Sequence, residues 1–268
     1  MKSLRIIFKE HIKNLYMIFS LSLYELKIAY VSNRLGLGWM VLNPVIQIAV
    51  YWSVFGLGIR GGAPVHGVPF FVWLICGLIP WFYTSGGIIQ GSNSVYTKLA
   101  TASKMNFPLS IIPTLSIISQ LYTHLILLVV IGIIIAFSHG LTWMSLPGVA
   151  FYCLSLTCFL VGLSFLTSTL STIVRDVHLL VQTAARMLFF LTPVMWVMNA
   201  KTPQLLQDAI NLNPIYYIIN GYRSSLLYGN LNMIWSLHTL YFWGITLVLF
   251  LIGGMLHIRL RRQFVDYL

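Results

Sequence analysis

Residues 109–137 read LSIIPTLSIISQLYTHLILLVVIGIIIAF, without a single Lys, Arg, Asp or Glu. A helix that crosses a bilayer needs about 20 mainly apolar residues, so this stretch is long enough to span. Lipid offers no partners for backbone amides, so the stretch must be helical. Five further blocks of the same kind lie near 38–58, 68–90, 147–173, 178–198 and 234–257. The expected fold is therefore an all-α integral membrane protein with six transmembrane helices. A single six-span domain covers 35–268, preceded by an arm over 1–34. Of the 268 residues 58% are hydrophobic and 8% charged, with a mean hydropathy of +0.86. A soluble globular domain is excluded.

Sixteen Lys and Arg against five acids give a net charge of +11. With the N-terminus inside, the inner side receives Lys2, Arg5, Lys9, Lys13, Lys27, Arg34, Lys98, Lys104, Arg175, Arg259, Arg261 and Arg262. Only Arg60, Lys201 and Arg223 remain outside. This asymmetry predicts that both termini face the cytoplasm. Attraction to an anionic leaflet accounts for the basic total without nucleic acid. The first thirty-odd residues lack a compact apolar core with a small-residue cleavage site, so no cleavable signal peptide is expected. Cys76, Cys153 and Cys158 have no metal-ligand spacing and read as small core residues.

The arm is amphipathic. At 100° per residue, Leu4, Phe8, His11, Leu15, Phe19 and Ser22 share one face, opposite Lys2, Arg5, Lys9 and Lys13. Such a helix lies in the membrane interface, as an anchor or against a cytosolic partner. In the first span Asn43, Gln47 and Tyr51 recur at i, i+4 and i+8, giving a polar stripe that either faces a pathway or packs a neighbour. Trp81 and Phe82, beside Pro80, sit about 15 Å into the second span, too deep for an interfacial belt. They read as packing or as a surface on which sugar rings slide. Between 94 and 106, Val95, Leu99 and Ala102 form one face of a short capped helix carrying Lys98 and Lys104 and ended by Pro108. It is a connector, or a lever if a partner exists.

Ser164, Ser168 and Ser171 repeat at helical spacing along the fourth span, for close packing or for a hydrated lumen. Arg175 and Asp176 follow at a turn; neighbours on a helix diverge, so each should pair elsewhere. Arg186 lies about 16 Å along the fifth helix, near the midplane. With no acid in any apolar block, a phosphate-bearing substrate or a polar lumen accounts for it better than a buried ion pair. Residues 203–229 read as two apolar half-helices opened by Pro203 and Pro214, re-entering the outer leaflet and carrying Tyr216, Tyr217 and Arg223.

A membrane enzyme would need positioned bases or metal-binding carboxylates. His66, His124 and His139 have no acid spaced to assist them, and no metal or catalytic site is expected. No glycine-rich phosphate loop occurs either. The energy source must lie on another chain, and no cofactor is expected on this one.

The segment YVSNRLGLGWMVLNPVIQIAVYWSVFG (30–56) resembles the opening of permeases from type-2 ABC exporters. KMNFPLSIIPT (104–114), STLSTIVRDV (168–177), FFLTPVMW (189–196) and LNPIYYIINGYRSSLLYG (212–229) follow in the family's order. LYELKIAY (23–30) and IRGGAPVHGVPFFVWLICGLIPWF (59–82) look most like the wall teichoic acid translocation permeases of Gram-positive bacteria. The resemblance implies a homodimer in a bacterial plasma membrane with two partner ATPase subunits, on which ATP and Mg sit. It further implies export of a lipid-linked teichoic acid on undecaprenyl diphosphate, or alternatively of an O-antigen or capsular polysaccharide. It makes 1–34 the interface helix (with Lys9 and Lys13) and 94–106 the coupling helix. Pro214, Tyr216, Tyr217 and Arg223 become the outer gate, and spans one and five the lateral gate. Arg186, Asn43, Gln47, Tyr51, Ser164, Ser168, Trp81 and Phe82 are then the candidate pathway.

Overall fold

The computed structural model describes residues 2–31, 33–59, 61–103, 107–138, 140, 142–198 and 202–264. The expected coupling residue Lys104 lies outside them. Helices α1 (Lys2–Lys13) and α2 (Leu15–Val31) form the arm. Helix α3 (Trp39–Tyr51) follows a 3-10 turn at Gly36–Gly38 and widens to π geometry over Trp52–Ile59. Then come α4 (Phe70–Ser103), α5 (Ile112–Ser138), α6 (Ser145–Ile173) and α7 (Asp176–Leu191). The short α8 (Gln204–Asn211) and α9 (Pro214–Tyr228) precede α10 (Leu237–Leu260). Among the described residues there is no strand, only one isolated bridge between Val65 and Val68.

Among the described residues, five helical stretches are long and apolar enough to cross a membrane: Gly36–Ile59, Phe70–Ala102, Leu109–Ser138, Ser145–Ile173 and Leu237–Leu260. The block expected at 178–198 departs from this. Its helix stops at Leu191 after 16 residues, about 24 Å against a hydrocarbon core of about 30 Å. The stop is local chemistry: Thr192 precedes Pro193, which disfavours helical backbone at the residue before it, and Thr192 is extended at φ −91°, ψ 129°.

Helix α4 is the centre of the bundle, packed against α5, α6, α7 and α9. Of its most apolar window 78% is buried, against 17% for the first span, which is peripheral. Its 34 residues are about 51 Å long, some 20 Å more than a bilayer core needs. The described part of the separate helix expected at 94–106, residues 94–103, is this surplus, continuous with the span rather than hung between two spans. Nothing at 91–94 breaks it. Ser92 and Ser94 donate back to Ile89 O (2.8 Å) and Gly91 O (2.7 Å) inside the helix instead of capping a new one. Gly91 is there for contact, since a Cβ would lie 2.8 Å from Ser164 Cβ.

The arm also differs from the single helix expected. It breaks at Asn14, and its inward stripe is Ile7, His11, Ile18, Ser22 and Leu26. Phe8, Leu15 and Phe19 stay exposed. The expected face is thus displaced by about half a helix quadrant, with His11 and Ser22 common to both. Tertiary packing selected the neighbouring stripe and left the bulkier apolar side chains outward. Lys9 and Lys13 are exposed.

Candidate functional site: a groove along the central helix

Two cavities follow one face of α4, meeting at Ser85 and Ile89, which line both. The larger, about 550 Å³, lies between the first span, α4 and α7 and brings together Tyr51, Trp81 and Arg186. Its walls are aromatic. Phe189 packs on Tyr51 (ring centroids 5.5 Å) and on Trp81 (5.1 Å). Arg186 is exposed here and makes one long bond, Nε to Gln182 O at 3.4 Å. The two ion pairs among the described residues, Glu25–Lys98 and Glu10–Arg261, do not involve it. The smaller cavity, about 310 Å³, collects Asn43, Gln47 and Phe82 with Gln90, Gln120 and His124. Gln47 donates to Asn43 Oδ1 (3.2 Å) and Gln120 to Gln90 Oε1 (2.7 Å). Six of the eight expected pathway residues thus line one continuous face.

Ser164 and Ser168 do not join it. Both are buried, Ser164 against Gly91 and Ser168 fully enclosed, so their small side chains serve helix packing. Phe189, Phe190, Gln90 and Gln120 were not singled out in sequence. The glutamines carried a signal, being polar groups inside apolar blocks.

At the end of the bundle that carries both termini, Val95, Leu99 and Ala102 are buried against Ile112 and Phe264. They hold α4 to its own chain. Lys98 pairs with Glu25 of α2. Arg175 lies over the Tyr96 ring, 3.9 Å from its centroid, while Asp176 opens α7, so the adjacent charges do diverge. Nearby, His178 Nδ1–H donates to Ser92 Oγ at 2.8 Å, because the Ser92 hydroxyl is already given to Ile89 O. α7 is thereby tied to the α4 extension.

The arm is latched to this end. Glu10 accepts from Arg261 at the close of α10 (3.0 Å) and from the Ser110 hydroxyl before α5. His11 Nδ1–H donates to Ile7 O, so Nε2 is left to accept from Thr114 Oγ1 (both 2.8 Å). Burial pushes the His11 pKa down, consistent with a neutral ring. Burial alone would raise the Glu10 carboxyl, but Ser110 and Arg261 outweigh it and hold the group below its ordinary 4.5. A depressed folded pKa means the stabilisation is present above about 4.5 and is lost as pH falls through the lower folded value. Glu10→Gln should therefore weaken the latch at neutral pH by about 0.5–1 kcal/mol, the site being half-exposed. Amide exchange over residues 5–13 should rise severalfold in the variant at pH 7 and converge with wild type as the pH falls through the lowered folded pKa of Glu10. Equal exchange at pH 7 would remove the latch.

The expected outer gate is split. Pro214 opens α9, with Asn213 capping through Oδ1 to Ile215 N. Tyr216 and Arg223 line a third cavity of about 310 Å³ at the end away from the termini. Tyr217 is buried instead, bonded to Thr239 (2.6 Å) and packed on Tyr152 and Phe242. Arg223 is 5% exposed. Its Nη1 and Nη2 donate to Pro193 O (2.9 Å) and Val194 O (2.5 Å), and its Cζ lies 3.5 Å from the Trp73 ring centroid. Gly77 makes room for it, since a Cβ there would stand 2.9 Å from Cζ.

The family model for ABC-2 type transporters matches residues 16–227, from the arm through α9. The chain belongs to the ABC-2 type transporter family. As an ABC-2 permease it is a multi-pass membrane protein. It is 28% identical over 251 residues to an O-antigen export system permease protein RfbA of Klebsiella pneumoniae, covering 91% of this chain and 92% of that one. A second Klebsiella pneumoniae RfbA is 27% identical over the same shares. RfbA of Myxococcus xanthus is 26% identical over 212 residues, 78% of this chain and 79% of that one. The groove and α9 up to Leu227 draw on residues inside the matched segment, as do Ser110 and Thr114 of the latch, whereas Glu10, His11 and Arg261 lie outside it.

Proposed function

We propose that this chain is the membrane subunit of an ATP-driven exporter that moves a lipid-linked polysaccharide of the O-antigen class out of the bacterial cytoplasm. Its resemblance, over nine-tenths of its length, to permeases named for O-antigen export carries this reading. The groove is consistent with it: sugar rings present C–H faces to aromatic walls, and Tyr51, Trp81 and Phe189 provide such a wall beside the first span. The chain works as a homodimer with two ATPase subunits, which hold ATP and Mg. Six spans cross the membrane, with α7 as a short sixth and both termini in the cytoplasm. The α4 extension and the exposed basic face of α1 receive the ATPase.

A second cargo, a teichoic acid-type polyol phosphate on the same undecaprenyl diphosphate carrier in a Gram-positive membrane, is favoured by Arg186. A cation without an acid partner in the groove suits a phosphate-bearing chain better than a neutral one.

The test is co-reconstitution with the partner ATPase, in proteoliposomes supplied with labelled lipid-linked polymers. ATP-dependent appearance of glycan on the far side is expected. ATP hydrolysis without any polymer movement, for neutral and phosphate-bearing polymers alike, would sink the export reading.

A further inference from the structure

Arg223 is a charge without a counter-charge. A guanidinium has five N–H donors, and two of Arg223's go to the carbonyls of Pro193 and Val194. Its Nε finds no hydrogen-bond partner among the described residues. The two ion pairs among the described residues use Glu10 and Glu25, both at the opposite end of the bundle. The two carbonyls and the Trp73 ring offset part of the cost of burying this cation, and an anion would offset more of it.

The space for one is present. Arg223 lines the cavity of about 310 Å³ together with Trp73, Trp196, Tyr216, Asn220 and His66. Aromatic walls with an amide and a cation fit a polyhydroxylated group bearing negative charge. The rim carries strain in support. His66 has φ +47° followed by Gly67 at +79°, in a two-residue turn closed by Val65–Val68 hydrogen bonds of 2.9 Å in each direction. A non-glycine residue in left-handed backbone costs free energy, and the turn sets an imidazole at this opening.

We propose that this cavity binds a phosphate ester of a sugar or polyol, the phosphate held by Arg223 and the polyol against the aromatic walls. The chemistry is shared by a phosphate-bearing glycan and by a phosphatidylglycerol headgroup. The proposal rests on the exporter reading only in placing the cavity on a route that cargo takes.

The test uses the full chain in neutral detergent. Titration calorimetry with glycerol phosphate, against glycerol, covers the aqueous source. Native mass spectrometry with phosphatidylglycerol, against diacylglycerol, covers the lipid source. Saturable binding of either phosphate, absent for its neutral counterpart, is expected, and the arm that saturates identifies the source. Arg223→Gln should weaken it at least about tenfold, equivalent to about 1.4 kcal/mol, with Arg223→Lys intermediate. Should Arg223→Gln fail to fold, the decision passes to Trp196→Ala and to His66→Asn, which tolerates the left-handed backbone. Each is expected to weaken binding about threefold, by the aromatic or polar contact it removes. Equal affinity for phosphate and neutral ligands, or unchanged affinity in the folded variants, overturns the site. Phosphate binding without polymer transport would instead count against the exporter reading alone.

Discussion

An Arg186→Ala chain, reconstituted with its ATPase, is expected to move a phosphate-bearing polymer at least about tenfold more slowly than wild type. A neutral glycan should slow by no more than about fivefold. The argument is local. Arg186 is exposed in the groove, holds only a 3.4 Å bond to Gln182 O, and faces Tyr51, Trp81 and Phe189. Its charge therefore has little to do inside the protein. A charge-assisted hydrogen bond contributes about 1.5–3 kcal/mol, and each 1.4 kcal/mol is about tenfold. A neutral sugar would lose only an ordinary hydrogen bond, about 1 kcal/mol or about fivefold. Arg186→Lys should restore much of the phosphate flux, because a point charge suffices where no bidentate partner is fixed. Undiminished phosphate flux in Arg186→Ala would remove Arg186 from the pathway, and equal loss for both polymers would make its role structural.

The membrane class and the five qualifying spans, out of six expected, were legible because apolar run length is a property of sequence alone. The polar stripe Asn43–Gln47–Tyr51 was legible for the same reason, since helical spacing fixes which residues share a face. What was not legible depends on a partner surface. Val95, Leu99 and Ala102 were recognised as one face, but whether Ile112 and Phe264 or another protein covers it is decided by the fold. The arm shows the same limit. Its two adjacent apolar stripes are nearly equivalent in sequence, and the packing of α2 on α5 chose between them. The short α7 was readable in principle, because Thr192-Pro193 is a helix stop within an otherwise apolar block. Arg223 could be placed on the outer half-helix, but not seen to be buried. The carbonyls that hold it belong to a turn 29–30 residues away.

The largest loss of stability from a small change should come from Gly221→Ala. A Cβ at this position would fall within the ring of Tyr152. That ring cannot step aside: Tyr152 is fully buried and sits against Phe151, Tyr217 and Tyr222, with centroids 5.3, 5.6 and 6.4 Å away. Two effects oppose each other. Alanine gains about 0.5–1 kcal/mol over glycine in a helix interior, whereas overpacking a tight core costs about 1–3 kcal/mol, occasionally more. A rigid aromatic ring at sub-contact distance places this site at the upper end, so a net loss of about 2 kcal/mol is expected. Gly132→Ala supplies the control, because nothing lies within 4 Å of its Cβ on α5. Only the helix term acts there, and a gain of about 0.5–1 kcal/mol is expected. Opposite shifts in thermal or SDS-induced unfolding should separate the two variants, and Tyr152→Leu should recover part of the Gly221→Ala loss. If Gly221→Ala proved as benign as Gly132→Ala, the close contact of α9 with α6 would not exist. With it would go the support that holds Arg223 over Trp73.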